Sequence, residues 1–235
     1  MKRSFLYSLL AVAFSSFASA TILPCNSAVM TVYDVPGFSC TEGNLTYSNF
    51  SFSEIGTVSP LPTAAAFTLT PVIAPGADGF QIQGSFAAPA NTTIDVAIGY
   101  TVTINPGVFL GGVLSMSGFG ASSGASVDIA ESVCAGAAFN SMNVCPTPGV
   151  FKSLHVYDNS TGVVPMDMVM FTNSPTTLGI VKDINVRSGT DGSAQVSLID
   201  NISLFAAGTP EPASYSLIGM GLIGMAYASR KRLRK

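Results

Sequence analysis

The run Ile94-Asp95-Val96-Ala97-Ile98-Gly99-Tyr100-Thr101-Val102-Thr103-Ile104 decides the fold class. Every second residue of this run, beginning at Ile94, is apolar, and the residues between are small or polar. This period of two predicts a β-strand that has one face on a hydrophobic core and the other in solvent. Asn105-Pro106-Gly107 follows as a turn, and the segments Val108–Met116 and Val127–Val133 then alternate in the same way.

Eight further segments between the two ends of the chain have the composition of short strands. They are Val29–Val35, Leu45–Phe52, Ala66–Ile73, Phe80–Phe86, Val150–Tyr157, Met166–Phe171, Leu178–Val186 and Gln195–Phe205. Glycine, proline, asparagine and aspartate separate them, which is typical of antiparallel all-β domains. The sequence therefore predicts a single antiparallel β-sandwich of jelly-roll or immunoglobulin-like type. The segment Ala130–Ala138 would also suit a short helix.

Charge is unevenly distributed along the chain. The 235 residues include 10 basic and 13 acidic side chains, but residues 21–209 contain three basic and twelve acidic ones, a net charge of −9. Phosphate recognition needs a basic surface, so this balance excludes a nucleic-acid-binding domain. The other basic residues are concentrated at the two ends of the chain.

Residues 1–20 have the three parts of a secretory signal peptide. Lys2 and Arg3 form a positive start, an apolar stretch follows, and Ala18 and Ala20 occupy the small-residue positions of a cleavage site. The alternative is an uncleaved anchor, but the apolar stretch is too short to span a bilayer. We therefore expect the secretory translocon to export the chain and signal peptidase to cleave after Ala20.

The C-terminus carries a different signal. Thr209-Pro210-Glu211-Pro212 precedes the uncharged segment 213–229, and the chain closes on a basic cluster, 230–235. A helix over the uncharged segment would be about 25 Å long at ~1.5 Å per residue, the short end of what a bilayer accepts. The basic cluster should stay in the cytoplasm, because its transfer through the membrane is costly.

This order of elements resembles the PEP-CTERM sorting signal of Gram-negative bacteria. The resemblance implies an exosortase, a membrane protease-transpeptidase, as partner. It also implies that Pro210, Glu211 and Pro212 are recognition residues, together with the basic residues Arg230, Lys231 and Arg232. Thr209 departs from the family, which commonly has Val there. The protein would then be held transiently in the inner membrane and released to the cell surface or an extracellular polysaccharide matrix; the alternative is a permanent anchor.

The domain organisation follows from these signals. We expect a signal peptide over residues 1–20, a β-sandwich domain over 21–208 and a sorting signal over 209–235. The four cysteines, an even number in an exported chain, predict disulfides. Three pairings are open, and we favour the sequence-local one because each bridge then closes a turn-rich loop; it joins Cys25 to Cys40 and Cys134 to Cys145. Zinc is the alternative, but the spacing does not match a zinc knuckle.

Candidate catalytic residues are few. Gly120-Ala121-Ser122-Ser123-Gly124 matches the G-x-S-x-G pattern, but it lies in a turn between predicted strands, and His155 is the chain's one histidine. Asp95, Asp128 and Glu131 are candidates for paired carboxylates that cleave a polysaccharide. Because neither set forms a convincing site, the sequence predicts no catalytic residues and no enzyme.

No cofactor or bound metal is predicted. Three turns, Asp78-Gly79, Asp158-Asn159 and Asp191-Gly192, offer oxygen ligands that would suit calcium, but turn formation explains them first.

The sequence leaves three functional hypotheses. The first is a non-enzymatic surface or matrix protein, and the second is a glycan-binding module that associates with exopolysaccharide. The third is a polysaccharide-active enzyme. Sugar-binding sandwiches usually present aromatic platforms, and this chain lacks Trp; its body offers the tyrosines Tyr33, Tyr47, Tyr100 and Tyr157, whose alternation favours core packing for most of them.

Overall fold

The computed structural model describes residues 23–122, 124–190 and 192–208. The first strands are β1 (Leu23–Pro24), β2 (Ala28–Val29), β3 (Ser39–Glu42), β4 (Leu45–Gly56), β5 (Thr68–Ala74), β6 (Ala77–Ala88), β7 (Thr93–Ile104) and β8 (Gly107–Ser117). The others are β9 (Gly120–Ala121), β10 (Ser126–Ala135), β11 (Val150–Asn159), β12 (Gly162–Val164), β13 (Met166–Met170), β14 (Thr177–Arg187) and β15 (Ala194–Ala207). A helix α1 (Met30–Tyr33) and a 3-10 turn (Ala64–Ala66) complete the described elements.

The strands form two sheets that pack face to face. The eight-stranded sheet has the order β1-β3-β4-β7-β14-β10-β11-β12, and the seven-stranded sheet runs β13-β8-β15-β6-β5-β2 with β9 attached to β15. Within the described residues every pair is antiparallel except β1 with β3, which is parallel over two residues. The predicted antiparallel β-sandwich is confirmed.

The strand order identifies the sandwich as a jelly roll. Two blocks, β7-β14-β10-β11 and β6-β15-β8-β13, face each other. From β6 to β15 the chain alternates between them, apart from the β10–β11 hairpin within one sheet. Strands adjacent in the sheet but distant in sequence, such as β7 and β14, are the mark of the Greek keys from which jelly rolls are built. Of the two sandwich types expected from the sequence, the structure is therefore the jelly roll.

The period of two in β7 has the predicted consequence. Every second residue from Ile94 to Ile104 is buried in the core. Those between face away from it and are half-buried, except Gly99 and Thr101, which are buried on the outer face. The seven-stranded sheet contributes the facing layer, including Phe80 and Ile82. Aromatic rings join the two layers: the Tyr47 and Phe80 centroids are 4.7 Å apart in an edge-to-face arrangement, a favourable geometry for aromatic pairs.

Two local predictions were wrong. Val29–Val35 was expected to be a strand, but β2 ends at Val29 and α1 follows. The helical turn places Met30 and Tyr33 on one side, and both are fully buried, which an extended chain could not achieve at a spacing of three. Ala130–Ala138, which suited a helix, instead contributes to β10, because strands β11 and β14 pair with it on both sides and override its local preference.

Both disulfides form in the pairing that the sequence favours. The Cα atoms are 4.9 Å apart in Cys25–Cys40 and 5.3 Å apart in Cys134–Cys145, within the usual range for disulfides. The first bridge ties the start of the domain to β3, and the second closes the loop that follows β10. No cysteine of the described residues is free.

Candidate functional site

Polar side chains cover the outer face of the eight-stranded sheet. The strand register places Asp95 of β7 opposite Asn185 of β14, and Asn185 opposite Asp128 of β10. Tyr157 of β11 lies opposite Asp128 on the other side, which completes a row across four strands. These residues face outward because their immediate neighbours in each strand point into the core.

The next row along the same face contains Ala97, Asp183, Ala130 and His155. The two alanines leave space between the larger side chains. His155 Nε2 lies 2.8 Å from Asp128 Oδ1, and its ring centroid is 5.1 Å from that of Tyr157. The two rows therefore place three carboxylates, one imidazole and one phenol on a continuous, solvent-accessible surface.

Asp183 is the electrostatically unusual member of this face. Partial desolvation of its carboxyl, a hydrogen bond with Asp95 and the negative charges of Asp95 and Asp128 raise the pKa of Asp183 from 3.8 to about 6. Asn185 Nδ2 donates a hydrogen bond to Asp95 Oδ2 at 3.4 Å, so the Asp95 carboxyl has a donor of its own. Between pH 3.8 and about 6 the Asp95–Asp183 pair therefore holds a proton that two separate carboxylates would have released.

A cleft of about 1060 Å³ opens where this face meets the loops at one end of the sandwich. We call it the polar cleft. Its lining is dominated by hydroxyl and amide side chains, with one acid and one base: Thr57, Asn91, Thr92, Thr93, Ser122, Gly124, Ala125, Ser126, Asp128, Asn159, Ser160, Thr161, Arg187, Ser188, Gly189 and Thr190. Asp128 links the cleft to the row of carboxylates, so the two features form one surface.

Hydrogen bonds fix two walls of the polar cleft. Ser188 N donates to the Thr92 carbonyl at 3.0 Å, and Thr92 N donates to Ser188 Oγ at 2.9 Å. Asn91, whose φ of 60° lies in the left-handed region that Asn tolerates, donates from its backbone N to the Gly189 carbonyl at 3.0 Å. The loop after β6 and the loop after β14 are thus bound to each other, and the cleft is preformed.

A second hollow of about 440 Å³ adjoins the polar cleft. The two share Thr57, Thr93 and Arg187, and the second hollow adds Asp95 and Asn185. The cleft therefore continues from the loops along the outer face of the sheet. An elongated polar ligand could contact both.

The carboxylates proposed from sequence separate into two groups. Asp95 and Asp128 lie on the outer face, whereas Glu131 is 1% exposed and points into the core. Asp183, which the sequence analysis missed, is the acid that approaches Asp95. Asn185 and Arg187 of the same strand were missed as well, although a polar residue at each second position after Val181 was the available signal.

The serine motif is occupied by structural hydrogen bonds. Ser122 Oγ donates to the Ser193 carbonyl at 3.1 Å and accepts from Ser193 N at 2.8 Å. His155 pairs with Asp128 instead of with this serine. Ser123, the fourth residue of the motif, lies outside the described residues.

In two of the three candidate calcium turns, a carboxylate oxygen accepts a hydrogen bond from a backbone N–H group. Asp78 accepts from Ala74 N at 3.0 Å within the β5–β6 hairpin, and Asp158 accepts from Ala121 N at 3.0 Å. Asp191 lies outside the described residues. Within the described ranges, no three His, Cys, Asp or Glu side chains form a group suited to a metal ion.

The tyrosines divide as their alternation indicates. Tyr33, Tyr47 and Tyr100 are buried in the core. Tyr157 is half-buried on the outer face, at the edge of the carboxylate rows and in contact with His155. It is the one tyrosine of the described body that can meet a ligand on this face.

Comparison with known proteins gives information on the C-terminus. Residues 209–232 match the family model of the PEP-CTERM protein-sorting motif. The chain carries a PEP-CTERM sorting signal. This motif implies processing by an exosortase and indicates export and sorting to the surface. Its residues Pro210, Glu211, Pro212, Arg230, Lys231 and Arg232 lie outside the described part of the chain, as do Ala18 and Ala20 of the predicted signal peptide.

Among the described residues, no helix is both long and apolar enough to cross a membrane. The helix expected over residues 213–229 of the PEP-CTERM signal lies outside them. No curated protein matches the chain.

Solved structures resemble the sandwich at low sequence identity. TmCBM61 in complex with β-1,4-galactotriose is 10% identical with a TM-score of 0.30, covering 67% of this chain and 88% of the other. Carbohydrate-binding modules from the β-sandwich superfamily are 13% identical with a TM-score of 0.23, covering 76% of this chain and 62% of theirs. Trichoderma harzianum endoglucanase 3 of family GH12 is 8% identical with a TM-score of 0.22, covering 68% and 98%.

Proposed function

We propose that the exported domain is a non-catalytic glycan-binding protein of the cell surface or extracellular matrix. The observation that carries this proposal is the polar cleft, a preformed volume of about 1060 Å³ lined by Ser, Thr and Asn side chains. Hydroxyls and amides both donate and accept hydrogen bonds, which matches the alternating donors and acceptors of a sugar. The volume lies at the upper end of typical ligand sites, so it can hold more than one sugar ring.

The charges of the site favour an uncharged polysaccharide. Asp128 and Arg187 provide one acceptor and one charged donor within the polar cleft. The net charge of −9 over residues 21–209 opposes the approach of a strongly anionic polymer. Tyr157 lies at the edge of the carboxylate rows, where its ring can contact an apolar face of a sugar.

The geometry supports binding over hydrolysis. Glycoside hydrolases hold their two carboxyl groups about 5–5.5 Å or 6.5–9.5 Å apart, which leaves room for the glycosidic bond. Asp95 instead raises the pKa of the neighbouring Asp183 carboxyl, and Ser122 is engaged with Ser193. The nonenzymatic role expected from the sequence therefore remains our proposal.

Delivery follows from the two ends of the chain in this proposal. Signal peptidase removes residues 1–20, the uncharged C-terminal segment holds the chain in the inner membrane, and exosortase then releases it. Glu211→Ala should retain the protein in the membrane with residues 213–235 attached, as intact mass and cell fractionation would reveal. A wild-type protein that keeps this tail in exosortase-positive cells would instead establish the permanent anchor.

Binding is tested with the exported protein purified from its producing cells. We expect it to co-sediment saturably with the uncharged exopolysaccharide of those cells, and Arg187→Ala should weaken binding about tenfold through the lost charged donor. Lys152→Ala is the matched control, because it removes the same charge outside the cleft lining. Equal losses in both variants would refute the polar cleft as the binding site. No binding by the wild type with either calcium or EDTA would refute the glycan-binding role.

A further inference from the structure

Four polar side chains meet inside the hydrophobic core, away from the polar cleft. Tyr100, Glu131 and Lys182 extend inward from β7, β10 and β14 of the eight-stranded sheet, and Asn201 extends from β15 of the seven-stranded sheet. Lys182 is 0% exposed, Glu131 1% and Asn201 2%. A lysine and a glutamate are almost never fully buried unless they are paired, and the function proposed for the outer face does not involve them.

The hydrogen bonds converge on the glutamate. Lys182 Nζ donates to Glu131 Oε2, and Asn201 Nδ2 donates to the same oxygen at 2.8 Å and to Oε1 at 2.9 Å. The Tyr100 hydroxyl donates to Asn201 Oδ1. The primary amine and the carboxamide are thus bound to one carboxylate oxygen, while the amide carbonyl has a hydrogen-bond donor of its own.

This environment disfavours a charged lysine. Burial lowers the pKa of Lys182, and the charge of Glu131 and the hydrogen bond to it oppose that effect only in part. An ammonium group has three donors, and within the described residues Glu131 is the one acceptor that Nζ reaches. The Tyr100 ring lies 5.7 Å from Nζ. Transfer of a proton from Nζ to Glu131 removes both buried charges and leaves a neutral amine, which is a nucleophile.

We propose that Lys182 and Asn201 form a covalent amide cross-link between the two sheets, with release of ammonia. The constellation holds every group that this reaction needs: an amine nucleophile, a carboxamide electrophile, a carboxyl group that exchanges protons with both nitrogens, and a phenol that binds the carbonyl oxygen. Water is excluded from the site by burial of all four side chains.

The reaction balances without an external reagent. The neutral Nζ attacks Asn201 Cγ, and the Tyr100 hydroxyl stabilises the negative charge that develops on Oδ1. Glu131, which holds the proton transferred from Lys182, gives it to Nδ2 and then takes a proton from the attacking Nζ. The Nζ–Cγ bond forms, the Cγ–Nδ2 bond breaks, and ammonia leaves; nothing is oxidised or reduced. Glu131 is a neutral acid both when the neutral Nζ attacks and after ammonia has left.

The cross-link would follow folding, because its two partners lie on opposite sheets. It would join β14 to β15, the last strand before the sorting signal. The two sheets, which hydrophobic packing already holds together, would then also be linked by a covalent bond. Each chain would react once, which makes this a self-modification and not a turnover activity.

Intact mass of the exported protein, reduced and alkylated, tests the proposal. We expect a mass about 17 Da below that calculated for the chain between its mature N- and C-termini, the loss of one ammonia. Trypsin cannot cut after an acylated lysine, so the peptide 153–187 should stay whole and be joined to the peptide that begins at Ser188. An intact mass without the loss of ammonia, together with complete tryptic cleavage after Lys182, would overturn the proposal. An ammonia loss that maps to other residues would overturn it as well.

Variants test the assigned roles. Glu131→Gln keeps the side-chain shape but cannot relay protons, so it should retain the sequence mass. Asn201→Asp should lose about 18 Da, because water and not ammonia then leaves. Lys152→Met is the control and should cross-link as the wild type does. The wild-type mass decides the proposal even where a core variant fails to fold, and a cross-link in Glu131→Gln would overturn the role of Glu131.

Discussion

Replacing Asp183 by asparagine should stabilise the protein at neutral pH and leave its stability unchanged in acid. The Asp183 carboxyl has a raised pKa, about 6 against 3.8, because of desolvation, its hydrogen bond with Asp95 and the charges of Asp95 and Asp128. An asparagine amide has nearly the same shape, carries no charge and can still donate a hydrogen bond to Asp95. The substitution therefore removes the repulsion and keeps the contact.

The direction in which the free energy of unfolding changes with pH follows from proton binding. Between pH 3.8 and about 6 the folded protein holds a proton on Asp183 that the unfolded chain has released, so the free energy of unfolding falls as pH rises through this window. The whole difference in pKa corresponds to about 3 kcal/mol. Because the side chain is exposed on the outer face, solvent screening reduces the expected effect to about 1 kcal/mol.

Urea unfolding at about pH 7.5 and about pH 3.5 measures the effect. Asp183→Asn should unfold with a free energy about 1 kcal/mol higher than the wild type at the first pH and the same at the second. Asp34→Asn is the control, because it removes the same charge outside the carboxylate rows. A gain that is equal at both pH values, or equal in the control, would refute the coupling between Asp183 and Asp95.

Two other substitutions test packing. Gly149→Ala would place a Cβ 2.6 Å from Cys134 Sγ and 2.8 Å from Cys145 Sγ, so we expect a strained or open bridge, up to about 3 kcal/mol lower stability, and free thiols on titration; an intact bridge with wild-type stability would contradict this. The Tyr47 hydroxyl is buried without a hydrogen-bond partner among the described residues, so Tyr47→Phe should raise the unfolding free energy by about 1 kcal/mol, and a loss would indicate a bound water or partner.

Much of the fold was predictable from local pattern. The alternation in β7 and β14 specifies which face is buried, because a shift of one residue would reverse every side chain. Strand order was not predictable, since β7 and β14 are neighbours that lie far apart in sequence. The short helix α1 was missed because a β-branched and aromatic composition favours strands, and tertiary burial of Met30 and Tyr33 decides otherwise.

The candidate sites were predicted less well, because each depends on register between distant strands. The sequence indicated Asp95 and Asp128 as candidates. Asp183 comes close to them only because β14 pairs between β7 and β10 in the folded sheet. Lys182 carried a visible signal, a basic residue at the buried position between Ile180 and Ile184 in a body with three basic residues. Its partner Asn201 lies on the opposite sheet, which no spacing in the sequence reveals.

The placement of the last strand connects the fold to delivery. β15 ends at Ala207, and the sorting signal begins at residue 209, so any pull on the sorting signal enters the domain through β15. An edge strand would peel away from one neighbour, bond by bond. β15 instead lies inside its sheet between β6 and β8, with a ladder of hydrogen bonds on each side. A pull along β15 must shear both ladders together, and the proposed Lys182–Asn201 bond would add a covalent link to the opposite sheet. The ladders on both sides of Leu198–Leu204 therefore oppose a pull that enters β15 from the sorting signal.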